Sequence, residues 1–162
     1  MIEKNRALQG ILFGGFFAGL ADFIYPSINA VRAGNPWTRP WKGVASGLLG
    51  PDAHQGGMGI VVLGIALHFF ICFAAAALLY LIVSRLKFVP RQWIVLGVIY
   101  GVAFALVMNY VILPLSAIGR PIYPVEGLHM TFFFHTLLVG WPTAFFVSRA
   151  VRHGLPDQRL AS

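Results

Sequence analysis

Five side chains in this sequence stand where polar groups are costly: Asp22, His68, Asn109, His129 and His135. Each lies within or at the edge of a long apolar run, and an ionisable or amide side chain surrounded by hydrocarbon is a functional candidate by default. Asp and His in that setting can hold a proton, an ion or a small polar solute. Two imidazoles at equal depth on facing helices can also ligate a haem iron from both sides. Counted inward from the outer ends of their runs at about 1.5 Å per residue, His68 and His135 lie roughly 12–15 Å deep, near the midplane, and the other three are shallow. All five fall in one half of the membrane. The expectation is a polar patch of Asp22, His68, Asn109 and His135 that opens outward, with the two deep histidines at its floor.

Competing readings of those residues are structural. Asp22 and Asn109 can bond to neighbouring helices, and each histidine to a carbonyl, for roughly 0.6–2 kcal/mol per bond. A metal site is not expected: His129 and His135 are about 120° apart around a helix, and no HExxH, CxxC or EF-hand pattern occurs. The run Gly56-Gly57-Met58-Gly59 lacks the Lys-Ser/Thr of a phosphate loop. Cys72, the only cysteine, lies one helical turn beyond His68 and reads as a buried, inert thiol. No nucleophile has a convincing base near it in sequence, so the chain reads as a non-enzyme with no catalytic residue, no metal and no cofactor.

The elements that carry these residues follow from composition. Of 162 residues, 58% are hydrophobic and only 10% charged, against roughly 25% charged in soluble domains. With a mean hydropathy of +0.77, a single small domain could not hide so much apolar surface from water. A soluble enzyme, a disordered tail and a disulfide scaffold are all excluded. The net charge of +7 does not point to nucleic acid, because the basic residues flank apolar runs and form no stripe interleaved with aromatics.

Residues 53–84, 92–119 and 127–148 contain no Asp, Glu, Lys or Arg, and each exceeds the roughly 20 residues needed to cross a hydrocarbon core. The first run, 7–21, ends at Asp22 and resumes as Phe23-Ile24-Tyr25 before Pro26. The pattern predicts an all-α membrane protein with four transmembrane helices at about 7–25, 58–83, 93–113 and 127–147. Lys4 and Arg6 ahead of an apolar stretch ending Gly19-Leu20-Ala21 also fit a signal peptide, but the stripe Gly10, Gly14, Ala18 favours a retained helix. One side of the membrane would carry Lys4, Arg6, Arg85, Lys87, Arg91, Arg149, Arg152 and Arg159. The other would carry Arg32, Arg39, Lys42 and Arg120. The positive-inside rule then places both termini in the cytoplasm.

Gly10, Gly14, Ala18 and Asp22 recur every fourth residue, and so do Gly97, Gly101, Ala105 and Asn109; each set follows one helix face and is followed by a proline. The second and fourth spans both end in Val-Ser-Arg. A duplicated two-helix hairpin accounts for these matches, and small-residue stripes common to membrane helices are the alternative. The first external connection holds Asn35-Pro36-Trp37-Thr38-Arg39-Pro40-Trp41-Lys42 and closes at Gly50-Pro51. Proline at the start and Gly-Pro at the stop predict a short helix. Two tryptophans beside Arg39 and Lys42 suggest that it lies in the lipid headgroup zone.

The segments His68-Phe69-Phe70, Val83-Ser84-Arg85-Leu86, Tyr100-Gly101, Met108-Asn109-Tyr110-Val111, Leu113-Pro114-Leu115-Ser116-Ala117 and Val139-Gly140-Trp141-Pro142, with His135, resemble bacterial four-helix inner-membrane proteins, broadly YagU-like. The resemblance covers most of residues 7–152 and implies the bundle and a bacterial inner-membrane location, but no site residue. The expected role is a polytopic membrane protein whose patch binds a small solute, ion or proton. Its expected partners are the lipid bilayer and a second copy or larger membrane complex, without nucleic acid. A non-catalytic structural subunit and a bis-His haem protein are the alternatives.

Overall fold

The computed structural model describes residues 2–86, 92–122 and 128–152, with side chains in the first stretch from Asn5 to Arg85. Five helices follow in order: α1 (Ile2–Arg32), α2 (Arg39–Leu49), α3 (Met58–Leu86), α4 (Trp93–Leu115) and α5 (Leu128–Arg152). A 3₁₀ turn, Pro51–Gln55, links α2 to α3. All but α2 are long and apolar enough to cross a membrane, and no strand occurs among the described residues. The chain is an all-α, four-span membrane protein. Its side chains are distributed as lipid requires: Phe13, Leu78, Ile99 and Phe133 face outward, while Ala18, Ala76, Ala105 and Ala144 are at most 1% exposed. Lipid tails are as apolar as leucine, so the interior selects small residues that let backbones approach.

The second, third and fourth spans begin within a residue of their predicted starts. The first departs most from expectation, because α1 does not stop at Tyr25 but continues through Pro26 to Arg32. Proline removes the one N–H that would bond to the Asp22 carbonyl. The next carbonyl, Phe23, is met by both the helix and the Ser27 hydroxyl, which donates to it at 2.8 Å. One lost bond in a long apolar helix does not end it, so the connection to α3 begins seven residues later than the sequence pattern suggests. Spans α4 and α5 each contain a wide i→i+5 turn, Met108–Ile112 and Thr136–Gly140. Each ends two residues before a proline, Pro114 and Pro142. Widening the helix there relieves the clash between a proline ring and the preceding turn.

Packing is uneven around the bundle. Helix α1 lies against both α3 and α5, and α4 packs on α5, but α3 and α4 scarcely touch. The two small-residue stripes both bear on α5. Gly10 and Gly14 of α1 abut Ala150, Phe146 and Thr143, while Gly97 and Gly101 of α4 abut Trp141, Gly140 and Thr136. The two hairpins are therefore not packed equivalently. At the end of the bundle where α1 begins, Leu79 and Val83 of α3 close on Ala144, Val147 and Val151 of α5, with Leu96 and Tyr100 of α4 alongside. Lys87, Arg91 and Arg159 lie outside the described residues.

At the opposite end sits α2. Pro40 occupies its first turn and Gly50, with φ of +80°, ends it in a conformation that glycine adopts without strain. Of the two tryptophans expected in the headgroup zone, Trp37 is 42% exposed, whereas Trp41 is 2% exposed and turned into the bundle. Helix α2 is drawn in because Gly64 of α3 offers no side chain: a methyl group there would overlap the Trp41 carbonyl. The Gly47 carbonyl accepts a hydrogen bond from the Ala117 N–H at 2.9 Å, which ties α2 to the segment leaving α4 as well.

Candidate functional site

Where α3 and α4 part, a cavity of about 1170 Å³ opens, walled by all four spans and by α2. Asp22 reaches it from the proline-interrupted turn of α1, His68 from α3 and His135 from α5. These are three of the four residues that the sequence singles out. The fourth, Asn109, is fully buried but does not line the cavity. Its Oδ1 accepts a hydrogen bond from the Ile122 N–H at 3.1 Å, pinning the segment after α4 back onto the wide turn of that helix. Its role in this arrangement is to hold the wall in place. His129 is exposed at the start of α5 and is not a lining residue.

His68 is the best-defined member. Its Nε2 lies 2.9 Å from the Gly19 carbonyl of α1, and a carbonyl only accepts, so Nε2 carries the hydrogen. That bond fixes the ring and, in the neutral imidazole, leaves the Nδ1 lone pair facing Asp22 Oδ2 across 3.9 Å. The gap is longer than a direct hydrogen bond of about 2.7–3.2 Å. One further polar atom placed beside both groups could bond to each. The pair is built as a two-armed holder in which a proton, a water or a ligand's polar atom completes the contact.

Trp41 backs this holder. Its indole stacks on Phe23 with centroids 4.5 Å apart and meets the His68 ring edge-on at 5.1 Å. Its N–H donates to Ser27 Oγ at 3.1 Å, and Ser27 donates onward to Phe23, so α2 is stitched to α1 beside the proline. Cys72 Sγ stands 3.9 Å from His68 Nε2, the nitrogen whose hydrogen is already committed to Gly19. There is no lone pair on that side to take a thiol proton, so the two do not form a nucleophile–base pair.

On the far wall, His135 Nδ1 donates to the Thr131 carbonyl at 2.8 Å, one turn back along α5, and the ring packs by Phe104 of α4. Each deep histidine thus spends one ring nitrogen on a backbone carbonyl. An iron held by His68 would have to take Nδ1, beside the Asp22 carboxyl. Among the described residues, no three His, Cys, Asp or Glu side chains converge as a metal site.

The sequence pattern missed Trp41, which it assigned to the membrane surface, and the lining aromatics Phe104 and Phe134. A signal for Trp41 was present: Gly64 interrupts an otherwise bulky stretch of α3 without belonging to either small-residue stripe, as expected where another backbone must come close. Comparison with protein-family models, curated proteins and solved structures finds no match to the chain.

Proposed function

We propose that the protein is a multi-pass inner-membrane protein, with both termini cytoplasmic, that binds a small solute in the cavity at the α2 end and carries out no covalent chemistry. The bound molecule places a hydrogen-bonding group between Asp22 and His68, with His135 on the opposite wall. One observation carries this reading: a carboxyl and an oriented imidazole face each other 3.9 Å apart on the wall of a large cavity. That spacing leaves room for a third partner. Two polar groups serving only to join α1 to α3 would be expected to close to bonding distance. With both termini cytoplasmic, the cavity faces the opposite side, where Arg32, Arg39, Lys42 and Arg120 lie.

The test is the composition of the gently solubilised protein. Small molecules released on denaturation are identified by mass spectrometry from the unaltered chain and from Asp22→Asn and His68→Gln. A species released near one per chain, and reduced at least tenfold in both variants at equal folded yield, supports the assignment. No stoichiometric species, or equal release from the variants, overturns it. Loss of folded yield alone would favour the structural-subunit role, in which the pair joins helices.

A further inference from the structure

The cavity has two chemically distinct regions besides the Asp22–His68 pair. Between the spans its walls are hydrocarbon: Leu67 and Ile71 of α3 on one side, Phe104 and Met108 of α4 on the other. These residues are half-buried, and no helix packs extensively across the gap between α3 and α4 among the described residues. A cleft between two membrane-spanning helices that scarcely touch faces lipid. At the level of α2 the wall changes character. Arg39, at the first turn of α2, and Arg120, in the segment after α4, both line the cavity and are exposed, and His54 joins them from the 3₁₀ turn. Asp22 is the one acidic side chain among the described lining residues, so this rim is positively charged.

An apolar cleft open to lipid below a cationic rim has the polarity of an amphiphile standing upright in one leaflet. We infer that the occupant of the cavity is an anionic phospholipid of the surrounding bilayer. Its phosphate lies at Arg39 and Arg120, and an acyl chain lies between α3 and α4. This rests on the binding role proposed above and names the class of ligand. Guanidinium groups suit the headgroup because they bond phosphate oxygens in pairs. The volume fits as well: about 1170 Å³ exceeds the roughly 300–1,000 Å³ of sites for drug-sized ligands. The Asp22–His68 pair then meets a hydroxyl or ester oxygen beneath the phosphate.

The test uses the full chain in nanodiscs of phosphatidylglycerol or of phosphatidylcholine, followed by transfer to detergent and native mass spectrometry. Retention of about one phosphatidylglycerol per chain is expected, with at least tenfold less phosphatidylcholine. The double variant Arg39→Gln/Arg120→Gln alters two exposed side chains and should fold; it should lose at least tenfold in retained phosphatidylglycerol. Leu67→Trp, which fills the cleft without touching the rim, should lower retention of both lipids. Equal retention of the two lipids, or undiminished retention by the double variant, overturns the inference. If instead a water-soluble molecule is released near one per chain and no lipid is retained, the phospholipid assignment falls while the binding role stands.

Discussion

The two ends of this bundle are built from the same helices by opposite rules. Where α1 begins, Leu79 and Val83 of α3 pack on Val147 and Val151 of α5, with Leu96 and Tyr100 of α4 alongside. At the α2 end, α3 and α4 diverge, and the space between them is left to a cavity and a short helix seated on Gly64. Three polar candidates line the second end, while the first is packed mainly by aliphatic side chains, with the Tyr100 hydroxyl and Ser148 Oγ buried among them. The difference shows where this chain tolerates loss of packing. One end holds the spans together, and the other can leave an aspartate and two histidines reachable because the first bears the load.

The sharpest way to break this comparison is to truncate a leucine at each end. Leu79→Ala, in the packed cluster and 3% exposed, should cost about 2–4 kcal/mol through the cavity it leaves, read as a lowered unfolding midpoint in detergent titration. Adding a methyl at the α2 end should cost slightly less: Gly64→Ala forces the Trp41 backbone away, at about 1–3 kcal/mol. It should also raise hydrogen exchange across Arg39–Leu49 while leaving the Leu79 end protected. Asn109→Ala removes the acceptor for the Ile122 N–H and should cost about 1–2 kcal/mol, with exchange rising at residues 116–122. Smallest of all, Leu67→Ala at the cleft should cost below about 1 kcal/mol, because the side chain already borders open space. If Leu67→Ala proves as damaging as Leu79→Ala, the two ends are not mechanically distinct.

Much of the bundle was legible in the residues. Charge-free runs located three spans closely, because lipid imposes a minimum length and excludes charge along it. The glycine stripes marked close helix contacts and lie at them. Less legible was which helix each stripe meets. Period-four spacing specifies a face but no partner, and both stripes turn toward α5. The end of α1 was misjudged because Asp22 and Pro26 each resemble a stop, yet neither outweighs an apolar helix continuing on both sides. Depth counting placed His68 and His135 deep but Asp22 shallow, because it ended the first span at Tyr25; with α1 running to Arg32, Asp22 lies level with His68, 3.9 Å away. It could not separate Asn109, whose burial depends on how the segment after α4 folds back.

The seating of Trp41 against His68 has one more consequence. An indole's emission follows the polarity of its surroundings, and Trp41 lines the cavity, so the chain contains its own optical gauge at the spot where occupancy matters. With Trp37, Trp93 and Trp141 changed to phenylalanine, the remaining emission would report filling and emptying of the crevice in real time, with no dye attached.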